Sequence, residues 1–266
     1  MVLPHNFLLN GTDARSGKSR RYIDTENGEE VNMLKPVRQR KISDQIFEQI
    51  RDLIYRGEYK SGEKLMAERD MAELFRVGRP TVRIALQKLI DKGLVEVKHG
   101  VGTFVVENIS DRNGSPLLQI LNEEEFTISE FQETRLALEV KSAELAAIRA
   151  TEDDLRLLNK SLSRLEKEVS EGHMHMNSDI SFHMNIAYAS KNIVHIQIMK
   201  SIYEVQYAIM KLAYTKIFQS MGMDELVFQQ HSEIARAINR REQDQARKAM
   251  ETHIGGILEV CRSEGL

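Results

Sequence analysis

Four side chains in the second half of the chain have the types and spacing of a metal-ligand set. Asp179 and His183 stand four residues apart, so a helix projects both from one face. His231, within Gln230-His231-Ser232-Glu233-Ile234, and His253, within Met250-Glu251-Thr252-His253-Ile254, each fall midway along a helical pattern. One carboxylate and three imidazoles suit zinc or a neighbouring divalent transition metal, with nickel and manganese as the alternatives. Spacing alone leaves a second reading open, in which each histidine is an ordinary, partly buried member of a helical core. His173 and His175 form a His-x-His pair in an expected loop and read as exposed and incidental.

A second group of side chains is cationic and lies near the N-terminus. Residues 65–86, LMAERDMAELFRVGRPTVRIAL, read as helix, tight turn, helix. Ala67-Glu68-Arg69-Asp70 opens the first helix and Val77-Gly78 breaks it. Pro80 suits the first turn of the next, where its missing N–H has no helical partner to lose. Val82, Ala85, Leu86, Leu89 and Ile90 then recur at the spacing of one buried face, and Arg79, Thr81, Arg83, Gln87 and Lys88 point outward. An apolar back with cationic groups at the N-terminal end is what a DNA-reading helix requires.

The flanking segments supply the rest of such a module. Ser43–Arg56 carries Ile46, Ile50, Leu53 and Ile54 at helical spacing and stops at Gly57. Gly93 caps the second helix of the pair. Leu94–Lys98 alternates with period two, Thr103–Val106 is β-branched and aromatic, and His99-Gly100-Val101-Gly102 between them is a hairpin turn. Three helices and a two-stranded hairpin define a winged helix-turn-helix.

Residues 41–106 resemble the DNA-binding domain of GntR-family bacterial transcription regulators. The matching pieces are Gly62-Glu63-Lys64-Leu65, Ala67–Ala72, Val77–Arg83, Ala85-Leu86, Lys92–Val95 and Gly102–Val105. The resemblance implies DNA contacts from Arg69, Arg79, Thr81, Arg83, His99 and Gly100. Three positions depart from the family pattern: Met66 replaces a usual proline, Gly78 a small hydroxyl residue and Ile84 a common glutamate.

Composition and charge agree with this division. The 266 residues suffice for two domains, and a chain with no Trp and 6% aromatic residues favours helix. Net charge is -3, unevenly distributed: residues 35–106 hold 15 basic and 10 acidic side chains, residues 107–266 hold 18 and 25. A basic head on an acidic body fits one module that neutralises phosphates and one that does not. The single cysteine, Cys261, excludes internal disulfides and fits a reducing, cytoplasmic setting. No apolar run reaches membrane-spanning length, so no membrane partner is expected. Residues 1–38 mix Gly, Ser, Asn, Arg and Glu without periodicity and are expected to be a disordered extension. Its Arg15, Lys18, Arg20 and Arg21 form either a solvated tail or a DNA-contacting arm. The winged helix-turn-helix is assigned to residues 39–106, a polar linker to 107–115 and a second domain to 116–262.

Successive helical patterns fill that second domain, at about 130–150, 151–169, 176–190, 193–218, 224–240 and 244–260. Thr151 before Glu152-Asp153-Asp154 is an N-cap followed by carboxylates that the helix dipole favours. The expected fold is mainly α: an antiparallel bundle of six or seven helices behind the winged head. Residues 116–260 resemble the FCD effector domain of the FadR subfamily. The markers are Glu133–Glu139, Leu145–Ala147, Ala150–Leu155, Asp179–His183, Ala189–Asn192, and His231 followed 22 residues later by His253. The resemblance implies that Asp179, His183, His231 and His253 bind a divalent metal. It also implies that Arg135, in an otherwise apolar helix, clamps a carboxylate with its guanidinium fork, the favoured reading; the alternative is a salt bridge to Glu139 or Glu133. Asn192 and Tyr188 are further pocket candidates.

The expectation is therefore a homodimeric, DNA-binding regulator on a palindromic operator, responding to a small carboxylic acid. The alternative is a regulator for which the metal itself is the effector. A zinc hydrolase is disfavoured, because no separate general base or oxyanion donor can be named and the fourth protein ligand fills the position catalytic zinc keeps open.

Overall fold

The computed structural model describes residues 7–9, 22–24, 30–31, 41–106, 117, 126–172, 174–217 and 223–266, the side chains of 207–217 and of the first three segments aside. The chain divides into a unit of Met1–Lys41 and a unit of Ile42–Leu266. The first contains three short strands, β1 (Phe7–Leu9), β2 (Tyr22–Asp24) and β3 (Glu30–Val31), paired antiparallel in that order. Strands of two or three residues carry too little periodicity to be read from sequence, and none was expected here. Arg15, Lys18, Arg20 and Arg21, the linker 107–115 and His173 lie outside the described residues.

The second unit opens with α1 (Ile42–Tyr55), which buries Ile46, Ile50 and Ile54, one residue from each successive turn. Leu53, expected on that face, is instead exposed. Gly57, at φ 71°, ends the helix in a left-handed conformation that a side chain would strain. Helices α2 (Glu68–Leu74) and α3 (Arg79–Asp91) follow, and Pro80 lies in the first turn of α3. Val82, Ala85, Leu86 and Leu89 form the buried face of α3. Beyond the Gly93 cap, β4 (Val95–Lys98) and β5 (Gly102–Val105) pair antiparallel, with Val95 opposite Val105 and Lys98 opposite Gly102. This is the expected three-helix, two-strand winged head.

Six helices form the body among the described residues: α4 (Ile128–Arg149), α5 (Glu152–Ser170), α6 (Met176–Ala189), α7 (Ile193–Ile217), α8 (Asp224–Asn239) and α9 (Gln243–Ser263). Capping boxes start α4 (Thr127 with Glu130) and α5 (Thr151 with Asp154), each satisfying backbone donors that helix ends leave open. Ala143 and Ala146 of α4, Leu158 of α5, Phe182 and Ile186 of α6, Ile234 of α8 and Ile254 of α9 meet in one core. Small residues on α4 let α9 pack close along it. Among the described residues, no helix is long and apolar enough to cross a membrane.

Head and body share a second core that the sequence division into domains did not anticipate. Ile46, Ile50 and Ile54 of α1 belong to one cluster with Ile180, Met184 and Ala187 of α6 and Met199 and Tyr203 of α7. Polar contacts surround it. Arg56 donates from Nε to Asn185 Oδ1 at 3.3 Å and from Nη2 to Asp154 Oδ1 at 3.1 Å. Lys200 Nζ reaches Asp52 Oδ1 at 2.7 Å, and Tyr55 donates to Glu204 at 3.2 Å. Asn177 also bonds Ser61.

Candidate metal centre and DNA-reading face

Three helices bring the expected ligands together. Asp179 and His183 lie one turn apart on α6, His231 is on α8 and His253 on α9. The three imidazole Nε2 atoms converge: His231 to His183 3.2 Å, His231 to His253 3.2 Å, His253 to His183 3.3 Å. Asp179 Oδ1 lies 3.3 Å from His231 Nε2 and 3.6 Å from His183 Nε2. The imidazoles are fully enclosed, with Phe182 packed 4.6 Å from His231, ring centroid to ring centroid.

These separations bear on what the cluster fits. Ligand atoms about 2.0–2.1 Å from a tetrahedral zinc stand roughly 3.3–3.4 Å from one another. Three ring nitrogens converging on one buried point are the donor set a divalent cation takes once none of the three carries a proton there. The charge balance runs the same way. Burial opposes a charge on His183, but the Glu139 and Asp179 carboxylates outweigh it and raise its pKa to about 9. Burial, reinforced by the neighbouring His183, lowers His231 to about 3 against the pull of Asp179. Burial, with His231 and His183, also holds His253 well below the usual histidine range. Burial works to raise Asp179, yet His183, His231 and Arg135 bring it down to about 2. Two neutral imidazoles and an ionised carboxylate are states a divalent metal needs, while His183, which the two carboxylates keep protonated, gives up a proton on binding one. With that proton released, the residues present fit such an ion.

Two of the three ring nitrogens facing away from the cluster are held as metal-ligating histidines require; His231 Nδ1 is buried with no hydrogen-bond partner among the described residues. His183 Nδ1 lies 2.5 Å from Glu139 Oε2, and His253 Nδ1 lies 3.0 Å from Gln230 Oε1. Glu139 also accepts from Arg135 Nε at 2.7 Å, and Arg135 Nη1 donates to Gln132 Oε1 at 3.2 Å. Arg135 is thus buried within one turn of α4, salt-bridged to Glu139 as the alternative sequence reading held. Among the described residues, its Nη2 and the Gln132 Nε2 are buried without a hydrogen-bond partner. The Tyr203 ring lies 5.9 Å from the guanidinium carbon. Glu139 entered the sequence reading only as a salt-bridge partner for Arg135. Its bond to His183 crosses between helices, and the i, i+4 spacing to Arg135 gave no sign of it. Gln132, Gln230 and Tyr203 carried no signal.

Two pocket candidates lie elsewhere. Tyr188 sits at the head–body junction, its ring 4.7 Å from Arg56 and 5.2 Å from Lys200. It follows His183 by five residues, and that step turns it away from the cluster. Asn192 accepts the backbone N–H of His195 through Oδ1 at 3.3 Å, a cap at the start of α7. His175 precedes α6 as an exposed residue outside the cluster.

On the head, Arg79 and Arg83 are exposed along the first turns of α3, with Thr81 half-buried between them. Arg69 is exposed on α2, and His99 and Gly100 form the exposed wing tip, with Gly100 at φ 74°. Glu68 of α2 lies beside the arginines of α3: Arg83 Nε donates to its Oε2 at 2.8 Å, and Arg79 Nη2 is 3.7 Å away.

A winged helix-turn-helix with a basic reading helix, joined to a helical body enclosing a buried histidine cluster, is the architecture of a DNA-binding regulator with a second, helical domain. Comparison with known proteins names the family. Residues 42–105 match the GntR family of bacterial regulatory proteins, and residues 130–256 match the FCD domain. The chain belongs to the GntR family and carries an FCD domain, as in its FadR-like subfamily. It is 28% identical over 227 residues to the HTH-type transcriptional repressor NanR of Cronobacter sakazakii, covering 84% of this chain and 86% of that protein. It is 29% identical over 234 residues to the NanR of Salmonella schwarzengrund, covering 87% and 88%. Among solved structures it is similar to a GntR of Streptococcus agalactiae (28% identity, TM-score 0.44, covering 82% of this chain and 99% of that one). It is also similar to E. coli McbR/YncC (17% identity, TM-score 0.46, covering 86% and 100%). These relatives are regulators, not enzymes.

Proposed function

We propose that this protein is a transcriptional repressor whose operator affinity is set by a small carboxylate bound beside a divalent metal, zinc first among the candidates. The observation that carries the reading is the convergence of three Nε2 atoms at 3.2–3.3 Å beside a buried arginine with one unpartnered nitrogen. Asp179, His183, His231 and His253 would hold the metal, and Arg135 Nη2 with Gln132 Nε2 would donate to the acid. A bound metal supplies a Lewis-acidic anchor for an anion. The NanR relatives carry repressor in their names, which supports the same sign here. The protein acts as a homodimer in the cytoplasm, each head reading half of a palindromic double-stranded operator.

Helix α6 gives this reading a route. Its Asp179 and His183 belong to the cluster, while Asn177, Ser181, Asn185 and Tyr188 face the head. Ser181 Oγ lies 3.0 Å from where a Cβ on Gly57 would stand. A shift of α6 on ligand binding therefore reaches Arg56 and α1 directly. Regulation follows if the acid binds one head arrangement better than the other.

A metal-responsive regulator is the second reading. It is favoured by the Arg135–Glu139 bond at 2.7 Å, which already neutralises the cation an acid would seek. Thermal unfolding of the metal-loaded protein against a panel of small carboxylic acids separates the two, because a ligand specific to the folded state raises stability with the logarithm of its concentration. A selective response that also alters operator binding supports the carboxylate. Operator binding that follows metal alone, with no acid stabilising the protein, supports the metal sensor.

A further inference from the structure

The carboxylate of Glu68 stands where a DNA-reading surface has least use for negative charge. It is in the first turn of α2, half-buried, and both arginines at the start of α3 turn toward it. The bond to Arg83 is directional: Nε, not a terminal nitrogen, donates to Oε2 at 2.8 Å. A guanidinium held by its Nε presents both terminal nitrogens away from the holder. That edge is the one that pairs with O6 and N7 of guanine. Arg79, 3.7 Å from the same oxygen, shares the charge without the same orientation.

Neighbouring cations on this face are also matched by carboxylates. Arg69 lies 3.8 Å from Asp70, and on the wing Lys98 lies 3.2 Å from Glu96. Phosphates are abundant along any duplex and attract cations without regard to sequence, so an unpaired arginine raises affinity for all DNA alike. A carboxylate beside it offsets that attraction and leaves a base-specific contact to supply the binding.

From this geometry we infer that Glu68 is a specificity-determining residue. It orients Arg83 for a guanine and suppresses sequence-independent attachment of Arg83 and Arg79 to phosphates. The inference rests on α3 being the reading helix, and it adds a role for a residue that is not itself a contact to DNA.

The test uses the full-length protein and two duplexes of equal length. One is the sequence the protein enriches from a random pool and the other is a scrambled version of it. Affinity for each is measured across a salt series for the unaltered protein, Glu68→Gln, Glu68→Ala and Arg83→Ala. Glu68→Gln keeps an acceptor for Nε but removes the charge. It is expected to raise affinity for scrambled DNA several-fold and to steepen the salt dependence there by about one counterion. Glu68→Ala also releases Arg83 and is expected to reduce discrimination between the duplexes by tenfold or more. Discrimination unchanged in both variants, or both duplexes weakened equally along with thermal stability, overturns the role of Glu68 and leaves it a helix-terminus residue. Arg83→Ala binding both duplexes like the unaltered protein overturns instead the reading helix on which the inference rests.

Discussion

Glu139 Oε2 lies 2.5 Å from His183 Nδ1, so a carboxylate on α4 fixes which nitrogen of an imidazole on α6 faces the cluster. The same carboxylate accepts from Arg135, and one buried group thereby links the histidines to the arginine. Substitution by Gln keeps the size and removes the charge. Glu139→Gln should weaken metal affinity by about 10–100-fold, the usual effect of losing such a partner. Competition against a calibrated chelator measures it. Equal affinity in the two proteins removes Glu139 from the centre.

His253 Nε2 faces His231 and His183, and its Nδ1 lies 3.0 Å from Gln230 Oε1. His253→Ala should lower metal stoichiometry below one per chain and remove the thermal stabilisation that added zinc confers. His175→Ala, outside the cluster, should do neither. Metal content by elemental analysis after gel filtration decides the matter, and full retention by His253→Ala refutes the ligand set.

Arg135 separates recognition of an acid from scaffolding. Arg135→Lys keeps a cation for Glu139 but loses the fork. Its stabilisation by an acid identified in the panel should fall at least tenfold in apparent affinity, while operator binding without the acid is unchanged. Arg135→Ala is a poorer probe, because deleting one partner of a buried pair costs about 3–5 kcal/mol. An undiminished response in Arg135→Lys returns the residue to a structural pairing with Glu139.

Asp154 ties pH to the head–body junction. Burial works to raise its pKa, but Lys191, Thr151 and the Thr151 backbone lower it from 3.8 to about 2. Its folded pKa lies below its unfolded one, so its contribution is complete above about pH 4 and disappears as pH falls through 2. Asp154→Asn should lower the melting temperature at pH 6 by several degrees and by progressively less toward pH 2. A deficit that is constant with pH means that shape rather than charge accounts for the loss.

Arg83 is exposed on α3, its Nε 2.8 Å from the Glu68 carboxylate. Arg83→Ala should cost roughly 1–3 kcal/mol of operator affinity if it reads a base. Fluorescence anisotropy with the selected duplex provides the value. A loss shared equally with scrambled DNA marks a phosphate contact instead.

Much of this architecture was legible in the sequence because it rests on local signals. The α3 face Val82, Ala85, Leu86 and Leu89, the Gly93 cap and the Thr151 box are written within a few residues of one another. The four cluster residues were found by helical spacing together with resemblance, since spacing alone favoured ordinary core histidines. What escaped depends on contacts between distant segments. Leu53 fits the α1 pattern yet is exposed, because α1 buries the stripe Ile46, Ile50 and Ile54, chiefly against α3 and in part against α6, and Leu53 lies off it. Tyr188 and Asn192 belonged to the right sequence block, but one meets Arg56 and the other caps α7. The bond between Glu139 and His183 joins residues 44 apart, and no periodicity records such a pair.

Ten of the 14 residues of α6 are buried, the cluster residue His183 and the head-facing Asn185 among them. A helix of that length is about 21 Å of nearly incompressible rod. Enclosed on this scale, it has little freedom to flex between its two duties and transmits displacement as an axle does, by turning or sliding whole. Under the proposed function, one rigid element therefore joins the cluster to α1 of the head, and the compliance of the system resides in what that element pushes against.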